Sequence, residues 1–301
     1  MGDLATRAAG ELFDPQAELL VNDGRVGAVG SGEFVLWDAS SGNISARVKA
    51  EVGEVAALWA WGGDRLALRR PGATAVAILD EQGAEVETVE FDPQVSALAV
   101  SAGGERIIAA LPGTVRLVEL GRDQFVDLPV EGLAPEGRVT VAFLDDGRSV
   151  IGSAQDQCPP QLWEGDELDW SADAPADYWH LRPISSGFVT VEAEGDSFAV
   201  VVRDPDFIET ARHPLGFRPT ALRASDTHAV LTIGDGRASD RRSAVVVRLA
   251  DGATVRTDPG EGRVVSVNLV GSEVLTLTAT TGVAAFDADT GKQLRAFALP
   301  D

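Results

Sequence analysis

One phrase recurs along the whole chain: an apolar strand-like run, an acidic residue, a tight polar turn and, in most copies, a glycine. Its copies are "FVLWDASSG" (34–42), "VAILDEQG" (76–83), "VRLVELG" (115–121), "QLWEGDE" (161–167), "AVVVRDPD" (199–206), "AVVVRLADG" (244–252) and "VAAFDADTG" (283–291). Asp38 and Asp287 mark the first and last copies, 249 residues and six steps apart, a mean period of about 41.5. A period of this size, built from short strands, is the signature of stacked repeats rather than one continuous sheet.

Each phrase lies within a fuller unit. Two strand-like runs precede it, as in "VSALAVSAGG" (95–104) with "ERIIAALPG" (105–113), and one follows, as in "NISARVKA" (43–50) or "KQLRAFALP" (292–300). The runs are valine-rich, alternate in polarity and are bounded by glycine turns, which makes them strands. Four antiparallel strands alone would leave an apolar face in water. Packing such sheets face to face around an axis buries those faces. Seven units therefore predict an all-β fold, a seven-bladed β-propeller of four-stranded antiparallel blades. The expected organisation is one domain over 1–301, with 1–14 as a tail or closing strand. In "DADTG" the aspartates can bond to turn backbone, and Gly291 can take a positive φ between the third and fourth strands.

"FVLWDASSGNISARV" and "VAAFDADTGKQLRAF" resemble the WD-repeat and quinoprotein-type propeller families. The resemblance is specific in the first and last units. The middle units depart from it: "VRLVELGRD" lacks the aspartate, and "AVVVRDPDF" carries Pro205 in the turn. His180, His213 and His228 do not fall at a repeated place. The resemblance implies a propeller, often a binding platform, and carries over no cofactor. In the simplest register every blade is continuous in sequence. The first and last blades are then expected to be held mainly by side-chain packing, and the fold should open there first. Alternatively, residues 8–14 add a strand beside 292–299.

The net charge is −22, from 47 acidic and 25 basic residues. A GC-rich genome or adaptation to high salt accounts for such a balance; a field that steers a basic partner is the functional alternative. Either way the summed field repels nucleic acid and anionic membrane. No run reaches the roughly 18 apolar residues of a membrane span. The start, "MGDLATRAAGELFDPQ", has no secretory pattern, and Cys158 has no intrachain partner. The expected location is the cytoplasm.

No strong catalytic motif appears. "TGKQL" (290–294) lacks the upstream glycines of a phosphate loop, and "SAGGER" and "GSGEF" are turns between strands. The three histidines lack metal-ligand spacing, and Cys158 shows neither a base nor a reason for a low pKa. The expectation is no catalytic residue, no metal and no cofactor. The alternative is a metal-assisted hydrolase or lyase with its site at the central opening, where Asp156, Asp169, Asp173, Asp177 and Glu192 could approach one face. A quinone-dependent oxidoreductase, suggested by "DADTGKQL", is a weaker third reading, because that phrase makes the blade turn.

Two segments stand out as recognition loops. Residues 153–182 hold three tryptophans and the only tyrosine, with Pro159 and Pro160 stiffening a loop between the second and third strands of unit four. Trp170 and Tyr178, with Trp179, can form an aromatic anchor on a protein partner. Trp163 and Trp179 read rather as inter-blade packing, Trp170 and Tyr178 equally as packing or as contact, and Trp37 takes the same repeat position as Phe286. The second segment, "GDGRASDRRS" (234–243), holds Arg237, Arg241 and Arg242 in an acidic chain. It is expected on the same rim as the Pro-Pro loop, and Asp235 and Asp240 can neutralise it. "LRRPG" (68–72) places Arg69 and Arg70 at the equivalent loop of unit two. The composite expectation is a non-catalytic protein-interaction platform.

Overall fold

The computed structural model describes residues 19–299 apart from 23, 31–32, 50–57, 70–72, 81, 93–94, 123, 131–132, 134–138, 145, 154–158, 172–177, 234–242 and 261. It is a seven-bladed β-propeller. Each of the seven sheets has four antiparallel strands in sequence order, over 19–49, 58–90, 97–128, 139–171, 178–215, 219–256 and 264–296. The chain forms two compact units: 1–56, 193–202 and 209–301, and 57–192 with 203–208.

The strands differ across a blade in a way their residues dictate. Second and third strands such as "RIIAAL" (Arg106–Leu111), "HAVLTI" (His228–Ile233) and "GVAAFD" (Gly282–Asp287) are buried along nearly their whole length. Small and β-branched apolar side chains on both faces suit a strand covered on both sides. Fourth strands such as "EVETVE" (Glu85–Glu90) and "QFVDL" (Gln124–Leu128) are largely exposed.

In the 57–192 unit, the two-residue period of a strand sends alternate side chains to opposite neighbours. Ile107 and Ala109 of blade 3 pack with Ala67 and Ile78 of blade 2. Ile108 and Ala110 pack with Val141, Ile151 and Trp163 of blade 4. Val150 and Leu162 of blade 4 continue onto Leu181 and Phe188 of blade 5. Trp163 is thus inter-blade packing, and its Nε1–H donates to Gln161 Oε1 at 3.2 Å. In the other unit, Val274 and Phe286 of blade 7 face Val230 and Val246 of blade 6. Leu275 and Ala285 face Val26, Val35 and Trp37 of blade 1. Trp37 and Phe286 are each 1% exposed at equivalent positions, as the repeat predicts.

The repeated phrase is a turn closed by its own acid. Asp38 Oδ1 accepts from the Ser40 hydroxyl at 2.6 Å and the Ser41 N–H at 2.7 Å, while the Gly42 N–H donates to Asp38 O. Those bonds, the Ser40 hydroxyl first, hold the Asp38 pKa down to about 2. Asp80 and Asp287 play the same part, accepting from Gln82 and Ala84 and from Thr290. The residue after the acid donates its N–H into the first turn of its own blade: Ala39 to Gly24 O, Leu120 to Glu105 O, Ala288 to Ser272 O; in blade 6 Leu249, which follows Arg248, donates likewise to Thr227 O.

Blades 1 and 7 are each continuous in sequence, and more than side-chain packing joins them. The Trp37 indole N–H donates to Ala298 O at 2.7 Å, and the Ala298 N–H donates to Gly42 O at 2.9 Å. The Leu19 N–H donates to Ser266 Oγ, and Asn268 Nδ2 donates to Leu19 O, both at 2.9 Å. Arg295 Nη2 also donates to Ala39 O. Main-chain groups of both blades are therefore engaged, which extends the packing-only expectation. The alternative closing strand at 8–14 lies outside the described residues.

Candidate interaction face

A blade of four antiparallel strands has two ends. One carries the first-to-second and third-to-fourth turns; the other carries the second-to-third connection and the link to the next blade. The third-to-fourth turns hold five residues in five blades, at 39–43, 80–84, 204–208, 249–253 and 288–292, with 120–123 in blade 3 and 165–166 in blade 4. The second-to-third connections vary more. They are 31–32, 112–113 and 195–196 in blades 1, 3 and 5, but 154–160 in blade 4 and 234–243 in blade 6.

At this variable end, Trp170 stands in the fourth strand of blade 4, Glu167–Ser171, paired with Leu162. Tyr178 opens the first strand of blade 5, Tyr178–Ile184, paired with Glu192. Glu167–Ser171 is the last strand of its sheet and Tyr178–Ile184 the first of the next. Trp179 shares the Tyr178 strand. Arg237, Arg241 and Arg242 lie outside the described residues.

The carboxylates considered for catalysis are occupied where they are described. Glu192 Oε1 accepts from Arg203 Nη2 at 2.6 Å, Arg203 Nε at 3.0 Å and the Thr190 hydroxyl at 2.9 Å. Asp169 accepts from Arg148 Nη1 at 2.8 Å. Asp156, Asp173 and Asp177 lie outside the described residues, as does Cys158. His213 Nε2 donates to Leu249 O at 2.8 Å, and His228 lies between Thr227 Oγ1 and Asp289 Oδ1. Among the described residues no group of three His, Cys, Asp or Glu is placed to hold a metal, and no helix is long and apolar enough to cross a membrane.

Two features of the surface chemistry emerge only in three dimensions. A cleft of about 710 Å³ lies between blades 1 and 7, where Arg25, Asp38, Ser40, Glu273 and Arg295 line it together with Ala39 and Val270. Arg295 grips Glu273 there with two bonds of 2.9 and 2.5 Å. No sequence signal links residues so far apart in the chain. The other feature is Arg69, visible in "LRRPG" as a loop cation but in fact buried at the end of the second strand of blade 2.

No protein-family model matches the chain, and no curated protein matches it. Solved structures share the fold. The β-propeller domain of Myceliophteria thermophila Cps50 (Swd1) superposes with a TM-score of 0.69 at 13% identity, covering 93% of this chain and 98% of that one. A chain of the mitotic checkpoint complex gives 0.64 at 16% identity, covering 94% and 92%. A chain of Kuenenia stuttgartiensis hydrazine synthase gives 0.67 at 11% identity, covering 95% and 98%. The class is thus the β-propellers. Chains of such different names share this scaffold, so the likeness is one of fold alone.

Proposed function

We propose that the protein is a non-catalytic interaction platform that holds a protein partner at the variable end of its blades. The observation that carries this reading is the contrast between third-to-fourth turns of at most five residues and second-to-third connections that range from 112–113 to 234–243. Rigid strands with connections of unequal length are how a repeat scaffold separates stability from recognition. Two of the solved neighbours, Swd1 and a chain of the mitotic checkpoint complex, are in keeping with it. Trp170 and Tyr178 are the proposed aromatic contacts, since such side chains give large contact area for little ordering cost. Arg237, Arg241 and Arg242 are the proposed polar contacts.

The test begins with capture of a partner from native lysate and its purification. Replacing Trp170 and Tyr178 together by alanine should weaken the purified partner's affinity at least about tenfold, with the melting curve of the propeller unchanged. Unaltered affinity would remove these residues from the interface and, if replacement of Arg237, Arg241 and Arg242 is equally silent, the variable end with them.

A further inference from the structure

The fourth strand of every blade is the last of its sheet, so its outer backbone groups face away from the ladder. Such an edge is a template for another strand unless it is short, interrupted by proline or guarded by basic side chains. Most of the edges here carry one of these guards. Ile44–Lys49 holds Arg47 and Lys49, and Glu209–Leu215 holds Arg212 and Pro214. Thr254–Arg256 and Gln293–Ala296 have three and four residues and hold Arg256 and Arg295. Of the edges without Lys, Arg or Pro, Glu85–Glu90 of blade 2 is the longest, with six residues, "EVETVE". Its charges are all negative. Glu85 accepts from the Thr88 hydroxyl and Glu87 from the Gly121 N–H. Among the described residues, Glu85, Glu87 and Glu90 have no cationic partner.

An exposed aromatic ring lies beside this edge. Glu87 and Val89 pair with Ile78 and Val76, which belong to the apolar layer between blades 2 and 3, so they face blade 3. Phe125, in the fourth strand of blade 3, pairs with Val118 of the same layer and so faces blade 2. The bond from Gly121, in the turn before that strand, to Glu87 at 2.9 Å joins the two margins. Phe125 is 58% exposed. The Arg116 guanidinium lies over its ring, 4.1 Å from the centroid, and gives its charge to Asp127 through bonds of 2.6 and 2.9 Å. Val86 is also exposed, at 49%. The margin therefore combines an open edge, unpaired carboxylates and an apolar surface held in place.

We propose that the edge strand Glu85–Glu90, with Phe125, docks an extended basic segment of a partner protein, which joins blade 2 as a fifth strand. Main-chain bonds to a sheet edge give affinity, and alternate side chains give selection. Charge decides which strand is admitted. A second copy of this edge would set glutamate against glutamate, which is repulsive. A segment alternating basic and apolar residues meets the glutamates with one set and Phe125 and Val89 with the other. The net charge of −22 draws such a segment in. This surface is the outer margin of two blades, distinct from the variable end, so it stands or falls apart from the contacts proposed there.

The probe is a dye-labelled, acetylated and amidated hexapeptide alternating lysine and valine, titrated into the full chain at 0.15 M salt, roughly physiological. It should bind, and hydrogen exchange should slow at the amides of Glu85–Glu90. The same peptide methylated at every backbone nitrogen keeps its charge and side chains but cannot donate to an edge, and should bind at least about tenfold more weakly. Glu85→Gln, Glu87→Gln and Glu90→Gln together should weaken binding at least about tenfold. A control that removes as many charges elsewhere, Glu164→Gln, Glu167→Gln and Asp196→Asn, should leave it unchanged. Phe125→Ser should weaken it about fivefold. No binding by the wild type would overturn the proposal. So would equal affinity for the methylated peptide, an equal loss in both charge variants, or a silent Phe125→Ser. Unslowed exchange at Glu85–Glu90 would overturn it as well, and that footprint is read on the unaltered chain, whatever the variants do to folding.

Discussion

Phe207 occupies a backbone conformation that glycine fills in the matching turns. Its φ is +62°, beside +72° at Gly42, +82° at Gly83, +72° at Gly252 and +68° at Gly291. A side chain there costs about 1–2 kcal/mol. The ring offsets this: it packs on Phe188 with centroids 5.6 Å apart, lies under the Arg203 guanidinium at 4.7 Å and is 8% exposed. Asp204 still closes the turn, accepting from the Ile208 N–H at 2.8 Å, so Pro205 changes the wording of the repeat without changing its hydrogen bonds. Loss of a buried phenyl costs about 3–5 kcal/mol, and this outweighs the relieved backbone. Phe207→Gly should therefore destabilise the protein by about 2 kcal/mol, read as a lower urea midpoint. A variant more stable than wild type would refute the packing account. The departure of this unit was legible in "RDPDF"; the reason for it was not, because Phe188 and the route of Arg203 toward Glu192 belong to tertiary structure.

At the scale of the turn, a local motif acquires a long-range duty. In blades 1, 6 and 7 the glycine ending the third-to-fourth turn lies against the fourth strand of the preceding blade. A Cβ on Gly291 would come within 2.5 Å of Arg256 O, and one on Gly252 within 2.5 Å of the His213 ring. Gly24, also at positive φ, has open space beside it. Gly24→Ala should cost only the backbone term, about 1 kcal/mol. Gly291→Ala should cost at least about twice that, since a neighbouring main chain must also move. Thermal melts of the two variants compare them directly; equal losses would mean that blades 6 and 7 do not press on each other at this turn. The need for glycine was readable from "DADTG" as a turn requirement. The close approach was not, because a repeat seen in sequence does not show which atoms of the previous repeat it touches.

For the molecule, the decisive junction is between the first and last blades. The Trp37 ring packs edge-on to Phe297, with centroids 6.3 Å apart, while its indole N–H holds Ala298 O. Trp37→Phe keeps the apolar ring and leaves that carbonyl without its donor, which should cost about 1–2 kcal/mol. Hydrogen exchange should quicken at the amides of Ile44–Lys49 and Gln293–Ala296; unchanged protection there would show that the junction is held by packing alone. The number of blades, their four-strand order and the acid-closed turns follow from the sequence itself, because a period of about 41.5 residues and a two-residue alternation are local, one-dimensional signals. The junction bonds, the Glu192–Arg203 pairing, the cleft around Arg295 and the enclosed guanidinium of Arg69 were decided only by tertiary structure. They depend on which strand ends the packed blades bring together and on how much water is left beside a charge, and neither is written in the spacing of residues along a chain.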